Sequence, residues 1–371
     1  MAGKARSRKV AGKSPWRRFL REWGIYLLIG VAIGLLIFLL GRGGGKAGLA
    51  TTTPYRVYFT RGTLGHPKPA GLEAELVADV ASAGRWVEVV APAFDLPELA
   101  QALIAAHGRG VRAQVVEDEA SQADPAVLAV TTRLREAGVP VLLRPHLGGS
   151  FLAVDGRVVW AGSWDLSRRG LEEADGVVLR WELAPLAADF HAEFTEIVLE
   201  SFAGGLFRPP TALKTLHPYL AIPDGASISV YMTPADAALS EVLQSLARAQ
   251  EVIMVIGKVN DPRLADRLIG EASLSTMLTT WAVLDEGGTD PGLLLALAER
   301  KVNLGRYAGA GLDENVLVVD GQTVILFSQP MDQQAYDRNQ GYVLVVRDRD
   351  LGQALQQEFA RLYAEAQKGG P

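Results

Sequence analysis

Among 371 residues there is no cysteine. That excludes a disulfide framework, a thiolate metal site and a cysteine nucleophile. It fits either side of a membrane. Histidine is scarce: His66, His107, His146, His191 and His217 are all there are, and none follows His217. There is no Walker loop and no G-x-S-x-G elbow. The one G-x-G-x-x-G match, Gly43–Gly48, follows an apolar run instead of a strand and opens no helix, so it reads as spacer. Positive charge is scarce too, outside one end. Residues 1–50 hold ten Lys/Arg and one acid, leaving 27 basic and 41 acidic residues for the rest, a balance of −14. A body this acidic argues against nucleic acid as partner, because phosphate binding rests on Lys/Arg neutralisation.

What is present begins with an anchor. Gly24–Leu40 is an uninterrupted uncharged run, GIYLLIGVAIGLLIFLL. As a helix it would span about 25 Å, the short end of what a bilayer core requires. Trp23 and Tyr26 stand where interfacial aromatics belong. The basic residues of 1–23 precede the run, so the positive-inside rule predicts a cytoplasmic N-terminus and an extracytoplasmic body, single-pass in the cell membrane. Gly41–Gly45 (GRGGG) is a poor cleavage site, which favours an uncleaved signal anchor over a signal peptide. Gly30 and Gly34 form a GxxxG that would let two anchor helices approach. Residues 41–54 read as a Gly/Thr tether.

The remainder, 49% hydrophobic and 21% charged over the whole chain, has room for two domains, and it repeats itself. Val57-Tyr58-Phe59-Thr60 is echoed by Val230-Tyr231-Met232-Thr233, and Asp124-Pro125 by Asp290-Pro291. Val154-Asp155-Gly156 is echoed by Val319-Asp320-Gly321, Gly176 by Gly341, and Glu193-Phe194 by Glu358-Phe359, all at one offset of 165. Chance does not hold one offset, so the halves are 55–204 and 227–366, joined by a proline-rich linker over 205–226. Each alternates helical and strand periodicity. Leu72, Leu76 and Val80 mark one helix face, Trp86–Val90 a buried strand, and Val127, Val130 and Leu134 another helix. That predicts two α-β-α sandwich halves with sheets covered on both faces. The centre of each half is a hairpin. Phe151–Val154 and Val158–Ala161 flank Asp155-Gly156, a type I′ turn signal. The second hairpin lies in Asp313–Pro330.

The order, the duplication and the VDG-x-x-V-x-x-x-S block of each half resemble the phospholipase D superfamily, over roughly residues 55–365. Each half of that family carries H-x-K-x4-D followed by G-S-x-N, meeting at one active site on a pseudo-twofold axis. The resemblance implies one histidine as nucleophile, the other as acid, lysines on the phosphoryl oxygens and aspartates orienting the histidines. A neutral imidazole suits both roles near pH 7, and a cationic clamp neutralises transition-state charge.

Counted back from Asp155, the histidine position is Gly148 and the lysine position Ser150. Counted back from Asp320, they are Asp313 and Asn315. Ser163 and Ser328 remain from the following block. Its asparagine is Asp165 in one half and Pro330 in the other, and Gly162 has Phe327 as counterpart. The reactive groups are gone from both halves. His146 stands two residues before the expected histidine, without a lysine.

These positions predict a membrane-anchored pseudoenzyme that needs no cofactor and serves as a binding or scaffold module, with an unidentified protein partner in a membrane complex. Two alternatives stand beside it. One is a diverged phosphodiesterase, phosphatidyltransferase or metal-dependent hydrolase using Asp155, Asp165, Asp313, Glu314 and Asp320 at the inter-half cleft, with oxygen ligands; Asp313 and Glu314 also read as an exposed loop. The other is a lipid- or polymer-binding module. Trp160 and Trp164 read either as covers of an emptied cleft or as core.

Overall fold

The structure is a computed structural model describing residues 53–60, 71–202, 215–247, 249–264, 266, 279–285, 289–299, 302–307 and 311–368. The anchor run and most of the tether lie outside these residues. Among the described residues no helix is long and apolar enough to cross a membrane.

The first half runs β1 (Tyr55–Phe59), α1 (Leu72–Ser82), β2 (Trp86–Ala91), α2 (Pro97–Gly108), β3 (Arg112–Asp118), α3 (Pro125–Glu136), β4 (Val141–Arg144), β5 (Phe151–Val154), β6 (Val158–Ser163), α4 (Arg168–Glu172), β7 (Val177–Glu182) and α5 (Ala184–Phe202). The second runs β8 (Leu220–Ala221), β9 (Ser227–Thr233), α6 (Ala238–Leu246), β10 (Glu251–Ile256), β11 (Thr279–Asp285), α7 (Pro291–Glu299), β12 (Asn303–Tyr307), β13 (Asn315–Val319), β14 (Thr323–Phe327), α8 (Gln333–Asp337), β15 (Gly341–Arg347) and α9 (Arg349–Lys368).

Local chemistry sets these boundaries. Asp124 caps α3 by accepting from Ala126 N at 2.8 Å, and Pro125 supplies a first helical residue that needs no donor. Val127, Val130 and Leu134 then bury one face. Asp290 repeats the device, accepting from Leu293 N at 3.0 Å ahead of Pro291.

The two sheets repeat one strand order. Their orders are β1-β7-β6-β5-β2-β3-β4 and β12-β11-β10-β13-β14-β15-β9-β8. In each, three strands pair in parallel, β2-β3-β4 and β10-β11-β12. The rest pair antiparallel, including the two hairpins. Asp155 and Gly156 have φ 54° and 68°, and Asp320 and Gly321 have φ 51° and 67°. Both turns therefore use positive φ at both central residues, as the Asp-Gly pairs predict.

Helices α1 and α2 cover the outer face of the first sheet, with Leu76, Leu99, Leu103 and Trp160 in one apolar core. Helices α6 and α7 do the same for the second sheet. A third core belongs to both halves, taking the inner faces of the two sheets with residues of α5 and α9. At its centre Phe190 meets Phe151 and Tyr342 edge-on, each at 5.0 Å between ring centroids. Such pairs add about 0.5–1.5 kcal/mol each beyond the area they bury. The halves are thus one packed body from residue 53 on.

Candidate functional site at the pseudo-twofold axis

The two hairpins bring their leading residues to the boundary between halves, where backbone joins backbone. Leu147 bridges Gln340, and Asp175 bridges Leu312. These bridges are the same contact seen twice, related by the offset of 165 (Leu147 to Leu312, Asp175 to Gln340). Around the first, Gly148 N donates to Gln340 O at 2.7 Å and Gln340 N to His146 O at 3.0 Å. Around the second, Asp313 N and Glu314 N both donate to Asp175 O, at 2.7 and 3.0 Å. The positions where the family carries histidine are thereby stitched to the opposite half.

Side chains then fill the space. A β-carbon on Gly148 would overlap Oε1 of Gln329, and one on Gly149 would overlap the Ser328 hydroxyl. Gln329 is buried and held by its amide, donating to Thr233 Oγ1 at 2.9 Å and Ala335 O at 2.6 Å. The histidine position of the first half is therefore occupied from the second half. Gly162 has no room either, since its β-carbon would overlap the Val177 carbonyl oxygen. Its counterpart Phe327 is buried in the outer core of the second half and meets Tyr336 edge-on at 6.3 Å, so bulk is accommodated there.

In the second half, Asp313 at the histidine position faces Arg169 of α4, whose Nη1 and Nη2 each donate at 2.9 Å. This is a bidentate ion pair across the boundary. Asp165 lies close by, accepting from Ser150 Oγ at 3.3 Å and Ser167 Oγ at 3.2 Å. Burial, then the Asp313 charge, push its carboxyl up to about 6 against the opposing pull of Ser167, Arg169 and Ser150. Ser163 Oγ donates to Asp313 O at 2.8 Å and accepts from Asn315 N at 2.7 Å. Ser328 Oγ accepts from Tyr342 N at 2.8 Å. The retained serines fasten backbone.

The aspartates do not orient histidines here. Asp155 Oδ atoms accept from Gly84, Arg85 and Trp86 N at 2.8–2.9 Å, and Asp320 accepts from Gln250 and Glu251 N at 2.8 and 2.9 Å. Both tie a hairpin turn to the start of the neighbouring strand. They stand at the far end of β5 and β13 from Ser150 and Asp313, on the order of 16 and 23 Å along the strands. The five carboxylates of the hydrolase alternative therefore do not converge. Among the described residues no group of three or more His, Asp or Glu is placed to hold a metal ion.

The fold also places three further positions. Glu314 is 1% exposed, so Asp313-Glu314 is not an exposed loop. Trp160 and Trp164 are buried in the outer core and cover no cleft, with Trp160 Nε1 donating to Asp79. His146 is exposed at φ 65° and carries no catalytic geometry; its backbone carbonyl is what the boundary uses. Cavities of about 480 and 390 Å³ lie elsewhere, at the Asp320 end of the second sheet near Arg347.

Sequence reasoning missed Gln329, Tyr342, Arg169, Asp175 and Arg361. One signal was available: Tyr342 stands 165 after Val177, a large polar-tipped ring where the first half has a small apolar residue.

Two stitched α/β halves with these paired hairpins define the phospholipase D class of fold. Residues 76–198 match the family model described as cardiolipin synthase, PLD-like domain. That match makes residues 76–198 a phospholipase D-like domain. Its fold is similar to phosphatidylserine synthase from Haemophilus influenzae, with TM-score 0.61 and 12% identity over 84% of this chain and 89% of that one. It is also similar to polyphosphate kinase from Porphyromonas gingivalis, with TM-score 0.59 and 11% identity over 82% of this chain. It spans only 50% of the kinase's length. No curated protein matches the sequence.

Proposed function

We propose that this chain is a membrane-anchored, extracytoplasmic pseudoenzyme that uses a phospholipase D fold for binding, as a scaffold subunit of a membrane complex. One observation carries the reading. The histidine position of the first half is Gly148, and Gln329 of the opposite half fills the space a histidine would need. The side chains at both lysine positions are spent on hydrogen bonds within their own halves, Ser150 Oγ with Asp165 and Leu166 N and Asn315 Nδ2 with Asp313 O. Phosphohistidine chemistry needs a nucleophile, an acid partner and a phosphate clamp, and none of the three stands here. Gly24–Leu40 and the charges before it support the anchor.

The test is turnover by the purified full chain on phosphatidylcholine, cardiolipin and bis-p-nitrophenyl phosphate. No hydrolysis above buffer is expected. Turnover abolished by His146→Ala would overturn the reading. Protease protection on spheroplasts tests the topology, with the body digested from outside.

A second reading has its own support. Asp165, raised to about 6, stands near Asp313 beneath Arg169, an acid beside a carboxylate, as in two-carboxylate hydrolases. It requires a hydrolytic activity that Asp165→Asn removes.

A further inference from the structure

Beneath the Arg169–Asp313 pair, the boundary turns into a buried seam rich in carboxylates. Asp175, from the segment before β7, reaches into the second half and is 1% exposed. Its Oδ2 accepts from Tyr307 Oη of β12 at 2.5 Å and its Oδ1 from Arg361 Nη2 of α9 at 2.6 Å. The same guanidinium is shared with two more acids of α9. Its Nε donates to Glu358 at 2.9 Å, and its Nη1 to Glu365 at 3.2 Å. Glu314, at the start of β13, completes the set. It is buried, and neither of its carboxyl oxygens has a hydrogen-bond partner.

Arg361 is thus shared among three carboxylates, and among the described residues no donor reaches Glu314. The charged groups facing Glu314 are Asp175 from the first half and Glu358 and Arg361 from α9. Ionising Glu314 would place an unsolvated negative charge beside two others, with Arg361 already committed. The carboxyl is also part of the joint: Glu314 N and Asp313 N donate to Asp175 O, and Gly257 N donates to Glu314 O at 3.0 Å. Charge on this side chain acts directly on the strand that fastens one half to the other.

We propose that this seam is a pH-operated latch between the halves, closed while Glu314 is protonated and loosened when it ionises. Burial, reinforced by Glu358 and Asp175, holds the Glu314 carboxyl well above the usual range, with Arg361 opposing. An acid raised in the folded state contributes stability that is complete below its unfolded value. That stability is lost as pH rises through the folded value. The latch therefore tightens in acid and slackens toward alkali. This is opposite in sign to the turn carboxylate Asp155, and it is independent of whether the cleft has any activity.

The experiment is amide hydrogen exchange on the full chain in mild detergent, from about pH 5 to about pH 9, corrected for intrinsic rates. Protection of the Asp313 and Glu314 amides should fall about tenfold or more across that range, while amides of β2 in the outer-packed sheet hold theirs. In Glu314→Gln, which keeps the volume and cannot ionise, the fall should shrink to within about twofold. Glu358→Gln, which removes one of the repelling charges, should move the wild-type transition to lower pH. If Glu314→Gln fails to fold, the Glu358→Gln shift decides alone. Flat wild-type protection, or a Glu314→Gln profile parallel to wild type, would overturn the latch.

Discussion

The hydroxyl of Tyr342 donates to the carbonyl of Ser150, 2.6 Å away in the opposite half, and accepts from the Gly162 amide at 3.0 Å. One side chain of β15 thereby satisfies backbone just before β5 and within β6, at the lysine position and at the glycine of the block that follows. Tyr342→Phe keeps the ring contacts with Phe190 and leaves the buried Gly162 N–H without an acceptor. A loss of about 1–3 kcal/mol follows. Urea unfolding with unchanged m-value checks it. A loss below about 0.5 kcal/mol would mean that water replaces the hydroxyl.

Gly148 and Gln329 are coupled by space. Gly148→Ala should cost about 1–3 kcal/mol, because the new carbon overlaps Gln329 Oε1 and the buried amide must move. Gln329→Ala alone loses hydrogen bonds to Thr233 and Ala335. In the double variant the overlap is gone, so the two losses should fall short of additivity by about 1 kcal/mol or more. Additive losses would show that Gln329 already has somewhere to go. By the same reasoning, Gly148→His together with Ser150→Lys should not create phosphodiesterase activity while Gln329 stays.

Much of the fold was legible because its signals are local. Asp155-Gly156 and Asp320-Gly321 write the turns, Asp124-Pro125 and Asp290-Pro291 write the helix starts, and one offset writes the duplication. The replaced site positions were legible by counting along the same blocks. What replaced them was not. Gln329 reaches Gly148, and Arg169 reaches Asp313, across large sequence separations. Such contacts exist only once two sheets have been packed. Glu314 misled for a related reason. A charged residue next to a strand reads as solvated, and only the closing of one half on the other makes it buried.

Asp155 supplies an acid-limb prediction. Burial pushes its carboxyl up, but the amides of Gly84, Trp86 and Arg85, with the Arg85 charge, outweigh that and hold it below the usual range. A lowered acid contributes stability that is present above its unfolded value and is lost as pH falls through the folded one. Asp155→Ala should therefore destabilise the chain by about 2 kcal/mol at neutral pH, after discounting for partial exposure. The gap between variant and wild type should close on going to about pH 2. Thermal melts across that range check it, and a gap independent of pH would assign the loss to backbone conformation alone.

Arg180 and Asp79 form a buried pair in the outer core of the first half. Arg180 Nε and Nη2 donate at 2.7 and 2.9 Å, and Trp160 Nε1 adds a third bond at 2.8 Å. Arg180→Met leaves Asp79 as an uncompensated carboxylate and should cost about 3–5 kcal/mol. Removing both charges, as Asp79→Leu with Arg180→Met, should recover most of that loss. Denaturant midpoints of the three variants decide it. A double variant as unstable as the single one would show that the pair supplies more than mutual neutralisation.

Arg169 is half exposed, yet it is the cation that stands over both Asp313 and Asp165. Asp165 is raised to about 6, chiefly by burial and then by Asp313. Its protonated form is therefore favoured by folding. That contribution is complete below about pH 4 and lost as pH rises through about 6. Arg169→Ala removes the charge that offsets ionisation of Asp165 beside Asp313. The variant should lose little at about pH 5, where Asp165 is mostly protonated, and more at about pH 8, where both carboxylates are charged. Solvent screening keeps the difference near 1 kcal/mol. Adding Asp165→Asn should erase the pH dependence of the Arg169→Ala loss while leaving the loss of the Asp313 ion pair itself. Melting temperatures of the two variants at the two pH values separate these contributions. An Arg169→Ala loss equal at both pH values would place Asp165 outside the reach of this pair.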